Sequence, residues 1–209
     1  AGKEVVLSSQ TLIESESDLK TLRRIVGNGK FSVEANDMGA VRLLSAAKIP
    51  FVAGPHINTY NPQTLALLAE LGAKRWVMPV EMSRDALSHM LRDRPAGLET
   101  EVFAYGRLPL AFSARCFTAR HHNLPKDDCQ FRCMDYKNGL TLKTREGQPF
   151  LALNGTQTQS ASVYNLIGEI PSMRDTGVDV VRVSPQAFFT AKILKLFREV
   201  MDNRLPAQT

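Results

Sequence analysis

From Val5 to Ala104, short apolar or β-branched runs alternate with segments of helical period, and this beat restricts the possible folds more than anything else in the chain. Val5–Leu12 reads as a strand, and Ser17–Val26 as a helix with Leu19, Leu22, Ile25 and Val26 on one face, stopped by Gly27 and Gly29. Phe31–Ala35 is the next strand. Asn36 or Asp37 then caps a helix that runs to Lys48 and is ended by Pro50. Phe51–Ala53 is a third strand, followed by the turn-forming Gly54-Pro55-His56. Asn61 caps a helix over Pro62–Leu71, with proline at its first position and Gly72 closing it. Trp76–Met78 is strand four, Ser83 caps a helix to Leu91, and Thr100–Ala104 is strand five. Later, Val178–Val183 reads as a further strand. Gln186–Asn203 reads as a long amphipathic helix with Phe189, Ile193, Leu196, Phe197 and Val200 inward.

This pattern predicts an α/β fold of βαβ units on a parallel sheet. Successive units without a Gly-x-Gly-x-x-Gly turn favour a (β/α) TIM-type barrel, with an open doubly wound sheet as the alternative. At 209 residues, 44% hydrophobic and 22% charged, the chain suits one globular domain spanning 1–209. The chain runs from Ala1-Gly2-Lys3 straight into Val5-Val6-Leu7, so the expectation is a barrel entered partway through and incomplete. Between Tyr105 and Ser162 the beat breaks. This 105–162 stretch reads as an irregular, cysteine-bearing insertion with a hairpin from Leu140–Lys143 to Pro149–Leu153. In a barrel it would leave from the carboxyl ends of the strands, where active sites collect.

All three cysteines of the chain, Cys116, Cys129 and Cys133, lie in that insertion. Thiolates bind soft metals and iron–sulfur clusters, and three would fill all but one corner of a four-ligand site. The spacing Cys-x12-Cys-x3-Cys matches neither the ferredoxin runs nor the usual zinc pair, so a metal or cluster site, unrelated free thiols and a redox pair stay open on spacing alone. Arg115, Arg120, Lys126 and Arg132 would favour thiolates and offset a cluster's negative charge, and His121 and His122 are nearby candidates for a fourth ligand.

Other polar residues fall at expected carboxyl ends of strands: Glu34, His56, Asn58 and Glu81, with Glu34 and Glu81 a possible acid/base pair. Each has a plainer reading as a cap or loop hydrogen-bonding group. No Ser-His-Asp, Cys-His or His-Glu-x-x-His arrangement is present, so peptidase chemistry is not expected. The net charge of +5 tolerates an anionic ligand, but the basic residues are scattered among acidic neighbours, which argues against a nucleic-acid face. With no apolar run of membrane-spanning length and no signal-peptide pattern, the expectation is a soluble, cytoplasmic protein.

Several stretches together resemble a known family. They are Asn58-Thr59-Tyr60-Asn61, Leu68-Ala69-Glu70-Leu71-Gly72-Ala73-Lys74-Arg75, Pro79-Val80-Glu81, and Glu99-Thr100-Glu101-Val102-Phe103-Ala104-Tyr105-Gly106. Ala111-Phe112-Ser113-Ala114-Arg115-Cys116 and the Cys129/Cys133 pair complete the set. The family is the collagenase-like one once classed as peptidases of unknown catalytic type. Within it, the chain is most similar to the UbiV-type branch of anaerobic ubiquinone biosynthesis, through Ala114-Arg115-Cys116-Phe117-Thr118-Ala119-Arg120 and the step through Asp127-Asp128 to Cys129. The resemblance implies a [4Fe–4S] cluster with Cys116, Cys129 and Cys133 as ligands, and oxygen-independent hydroxylation of an aromatic ring with prephenate as hydroxyl donor. It also implies a heterodimer with a UbiU-like partner, acting on a quinone precursor. Many relatives have a cysteine at the place of Pro109, and the UbiV type instead draws its remaining cysteine ligand from an earlier segment. Two readings stand beside this one: hydroxylation of a nucleobase in RNA, and a structural zinc site in a non-catalytic scaffold.

Overall fold

The structure is a computed structural model and describes residues 2–125 and 128–207. Its chain forms two compact units, one of Ala1–Phe103 with Ser172–Val181, the other of Ala104–Pro171 with Arg182–Thr209. The fold is mixed α/β.

In the first unit the strands are β1 (Val6–Ser8), β2 (Ser32–Ala35), β3 (Phe51–Ala53), β4 (Ala73–Val77) and the start of β5 (Glu99–Gly106). Neighbours in the order β1-β2-β3-β4-β5 pair in parallel. Four helices alternate with them: α1 (Glu16–Val26), α2 (Met38–Ala46), α3 (Pro62–Glu70) and α4 (Arg84–Arg92). Each starts where a side-chain oxygen accepts from an otherwise orphaned amide. Asp37 accepts from Gly39, Asn61 from Thr64 and Ser83 from Ala86. For α1 the cap is Ser15, two residues earlier than the expected start, because Asp18 answers back to the Ser15 amide in a reciprocal box.

Alternation along the strands sorts side chains by face. Ala35, Ala53, Trp76 and Thr100 stand in register, and all four are fully buried. The helices supply Leu22, Val41, Leu44, Leu65, Leu68, Leu87 and Met90 to the unit's core. The other row, Ser8, Glu34, Val52, Arg75 and Glu99, is mostly polar. There the Arg75 guanidinium bonds Glu4 at 2.9 Å and Glu99 at 2.7 Å, with Glu101 at 3.8 Å. Burial works against the charge on Arg75, but the carboxylates of Glu4 and Glu99 outweigh it, and its pKa is raised. Asp179 ties residues 172–181 to this unit by accepting from the Thr100 amide at 2.8 Å and from Arg94 at 2.5 Å.

The second unit contains a four-stranded antiparallel sheet in the order β6 (Pro109–Phe112), β9 (Gln157–Ser160), β8 (Pro149–Asn154), β7 (Leu140–Lys143). The expected hairpin is present as β7–β8, with Leu140 opposite Leu153. The stretch read as irregular thus holds the four strands of this sheet among its loops. A short helix α5 (Phe117–His121) and a 3₁₀ turn (Arg132–Asp135) pack against each other beside it. Tyr105 and Gly106 of β5 pair antiparallel with β10 (Tyr164–Asn165). After α6 (Ile170–Thr176) and β11 (Val180–Val183), which pairs with β5, comes α7 (Thr190–Met201). Helix α7 starts four residues later than expected, because the Thr190 hydroxyl both accepts from the Gln186 amide and donates to its carbonyl, closing a loop. Phe189, expected inward, has a left-handed backbone and is 76% exposed, while Phe197 and Val200 are buried.

Candidate functional site

The cysteines sit on the loops and short helices of the second unit, and the adjoining sheet fixes their backbone. β8 and β9 are joined by Gly155 and Thr156, with Asn154 opposite Gln157. The carbonyl of Gly155 accepts from the Phe117 amide at 2.7 Å, and that of Thr156 from Ser113 at 2.8 Å. Between these two anchors lies Cys116, which is the N-cap residue of α5 but leaves the helix amides uncapped by its sulfur. Its sulfur is therefore not committed to the helix.

Cys129 and Cys133 flank the entry to the 3₁₀ turn. The Cys129 carbonyl accepts from the Arg132 amide at 3.3 Å. Gln130 and Phe131 are consecutive residues in the left-handed region, at φ 52° and 49°, a sparsely populated conformation for non-glycine residues. Cys133 points its thiol toward the Phe131 carbonyl, 3.8 Å away. All three cysteines are free thiols; Cys116 and Cys129 are half-buried and Cys133 is exposed. Lys126 and Asp127, named above for charge and spacing, lie outside the described residues. Of the nearby cations, Arg115 and Arg120 are exposed, and Arg132 pairs with Asp135 at 3.6 Å.

The histidines differ in what they touch. His122 Nε2 shares a hydrogen bond of 3.0 Å with the Tyr136 hydroxyl. His121 is exposed, with its ring edge-on to His122 and Tyr136 at 5.0 and 6.3 Å. The Tyr136 partnership joins residues fourteen apart, and no motif in the sequence announces it.

The donor chemistry of this segment suits a soft metal or an iron–sulfur cluster, since the three sulfurs form no disulfide and two of them, those of Cys116 and Cys133, belong to a helix start and a turn that pack together. Among the described residues, however, no three His, Cys, Asp or Glu side chains gather into the coordination shell of one ion. Cys116, Cys129 and Cys133 are the residues that could hold such a group.

The other sequence candidates belong to the first unit. Glu34 is buried near the end of β2, where its Oε1 accepts from the Ser8 hydroxyl at 3.1 Å and the Asn36 amide at 3.0 Å. The Asn36 side chain also donates to Ser8 and to the Ser9 carbonyl, and its backbone amide donates to the Ser9 hydroxyl. Asn36 is therefore part of a buried polar cluster, and Asp37 alone is the helix cap. His56 lies in a 3₁₀ turn over Pro55–Ile57, which Asn58 ends in the left-handed region. Glu81 is exposed and accepts from the Tyr60 hydroxyl at 3.1 Å. Burial, then that bond and the charge of Glu81, raise the Tyr60 pKa. Glu34 and Glu81 thus have different partners.

Among the described residues no helix is long and apolar enough to cross a membrane. The chain is 25% identical over 219 aligned residues to an uncharacterized protease of Methanocaldococcus jannaschii, covering 98% of this chain and 52% of that protein. It is 24% identical to tRNA hydroxylation protein P of Helicobacter pylori strain J99, over 79% of this chain and 42% of that protein. It is 23% identical to tRNA hydroxylation protein P1 of Bacillus subtilis, over 70% and 37%. The chain spans about half the length or less of these curated relatives. No solved structure matches it. The model of Peptidase family U32 matches residues 1–209, the whole chain, and the chain belongs to that family.

Proposed function

We propose that this chain is the iron–sulfur portion of an oxygen-independent hydroxylase, with Cys116, Cys129 and Cys133 each giving a thiolate to a [4Fe–4S] cluster. The observation that carries the reading is three free thiols within one compact unit: Cys116 at the N-cap of α5, Cys133 in the turn packed against that helix, and Cys129 just before the turn. When bound, such a cluster supplies one-electron chemistry, with its potential set by the surrounding charge and hydrogen bonds. The chain's own residues do the rest. Gly155 and Thr156 anchor the Cys116 segment, and exposed Arg115 and Arg120 offer positive charge to an anionic cluster or an anionic hydroxyl donor. Peptidase chemistry is not part of the proposal, since the His122 imidazole is bonded to Tyr136 rather than poised on a cysteine.

In the finer reading the enzyme is of the UbiV type. It works in the cytoplasm with a UbiU-like partner and hydroxylates a quinone precursor with prephenate as donor, and its parallel strands are part of a (β/α) barrel. The cysteine block and its spacing support this. A second reading, hydroxylation of a tRNA base, is favoured by the names of the Helicobacter pylori and Bacillus subtilis relatives.

Anaerobic purification followed by iron, sulfide and zinc analysis tests the centre. Iron and sulfide in near-equal amounts, with broad visible absorbance that Cys129→Ala abolishes, is the expected result; zinc without sulfide would overturn it. Mass spectrometry of quinone intermediates and of tRNA nucleosides from cells carrying Cys129→Ala then separates the substrates. Accumulation of an unhydroxylated quinone precursor with unchanged tRNA is expected, and the reverse selects the second reading.

A further inference from the structure

Asparagine precedes glycine three times in the chain, at Asn28-Gly29, Asn138-Gly139 and Asn154-Gly155. With no Cβ on the following residue, the glycine nitrogen can approach the asparagine Cγ, so all three pairs are prone to ring closure. That reaction needs two things from the fold. The side-chain amide must be free to turn, and the glycine N–H must be free to lose its proton.

The Asn28 side chain is fully committed. Its Nδ2 donates to the carbonyls of Ile25 at 2.7 Å and Phe31 at 3.1 Å, and its Oδ1 accepts from the amides of Lys30 at 2.9 Å and Phe31 at 2.6 Å. Asn138 is exposed, but the Gly139 amide donates to the Tyr136 carbonyl at 2.8 Å. The Gly139 backbone is also hemmed in, since a Cβ there would stand 2.9 Å from the Leu153 carbonyl oxygen. The third pair is different. Asn154 is exposed at the end of β8, and among the described residues neither its side-chain amide nor the Gly155 N–H has a hydrogen-bond partner. Nothing lies within 4 Å of the place a Gly155 Cβ would take, so the glycine has open space around it.

We propose that Asn154 is the chain's site of spontaneous deamidation, and that isoaspartate formed there loosens the segment carrying Cys116. The Gly155 nitrogen loses its proton to solvent base and attacks Asn154 Cγ. An N–C bond forms, the bond from Cγ to Nδ2 breaks, and ammonia departs with a solvent proton, leaving a cyclic imide. Water then opens the imide. Cleavage at Cγ gives aspartate, and cleavage at the main-chain carbonyl of residue 154 gives isoaspartate. Water enters, ammonia leaves, and nothing is oxidised or reduced. Isoaspartate puts an extra methylene carbon into the main chain, at the turn whose Gly155 and Thr156 carbonyls hold the amides of Phe117 and Ser113. Cys116 lies between those two anchors, whatever the cysteines bind.

The test ages the folded full chain in mildly alkaline buffer under anaerobic conditions and follows each asparagine by peptide mass spectrometry. Asn154 should deamidate about five-fold faster than Asn138, the rate equivalent of one net hydrogen bond, and faster still than Asn28. In denaturant the three pairs should react at similar rates, because the fold no longer separates them. A folded chain in which Asn138 or Asn28 matches Asn154, or a ranking that persists in denaturant, would overturn the assignment. Alkylation of Cys116 should quicken in step with isoaspartate at residue 154, and more than that of Cys133. Asn154→Gln, whose longer side chain closes a ring far more slowly, should keep the Cys116 rate constant over the same ageing. An equal rise in Asn154→Gln would overturn the link to Cys116. Should a thermal melt show that variant unfolded, the unmodified chain decides: a ratio of Cys116 to Cys133 alkylation that ageing leaves unchanged overturns the link.

Discussion

Gly54 shows how a single residue sets the polar cluster at the ends of β1, β2 and β3. It is buried, its amide donates to the Ala35 carbonyl at 2.8 Å, and the Asn36 side chain lies against its Cα. A Cβ added there would stand 2.7 Å from Asn36 Cγ and 2.8 Å from the Ala35 carbonyl oxygen. Asn36 cannot swing away cheaply, because its side chain already bonds Ser8, Ser9 and Glu34. Gly54→Ala should therefore destabilise the protein by about 1–3 kcal/mol, as overpacking of a filled site does. Chemical denaturation would check it, and a change below about 0.5 kcal/mol would show that the cluster relaxes freely. The sequence marks Gly54 as a turn former and Glu34 as a strand-end carboxylate. It does not mark their joining through Asn36, whose amide reads equally well as a helix cap.

At the scale of elements, helices α2, α3 and α4 were legible because capping chemistry is local, whereas the short α5 and α6 were not. Asp37, Asn61 and Ser83 stand where the sequence places them. The strand β9 was not, since Gln157-Thr158-Gln159-Ser160 has no apolar residue to reveal a period of two. Its signal was the preceding Asn154-Gly155, a hairpin pair. Gly155 has φ +60° with nothing within 4 Å of an added Cβ, so a side chain there costs backbone energy only. Gly155→Ala should lose about 1–2 kcal/mol, and Gly155→Asn less, because asparagine tolerates the left-handed region. The same turn holds the Cys116 segment through Phe117 and Ser113. Gly155→Ala should accordingly speed alkylation of Cys116 more than that of Cys133, measured by mass spectrometry of the labelled thiols. Equal acceleration of both would mean that the turn acts on the whole unit rather than on this segment.

For the molecule as a whole, the net charge of +5 bears on which substrate the proposed hydroxylase can hold. Several guanidinium groups are paired within the chain: Arg23 with Glu16, Arg75 with Glu4 and Glu99, Arg94 with Asp179, Arg132 with Asp135 and Arg198 with Asp202. A cation already paired contributes little to counterion release from a polyanion, and that release supplies most of non-specific nucleic-acid affinity. The scatter of basic residues was readable in the sequence, whereas their pairing across distant segments, Arg75 with Glu4 for example, required the fold. Mixed bulk tRNA should therefore bind the iron-free chain no more tightly than the non-specific range of about 10⁻⁴–10⁻⁶ M at physiological salt. Raising the salt four-fold should abolish even that, by a fluorescence-anisotropy titration. Binding well below about 10⁻⁷ M that survives the higher salt would require a site reading more than phosphate charge. It would move the preferred substrate from a quinone precursor to a tRNA base.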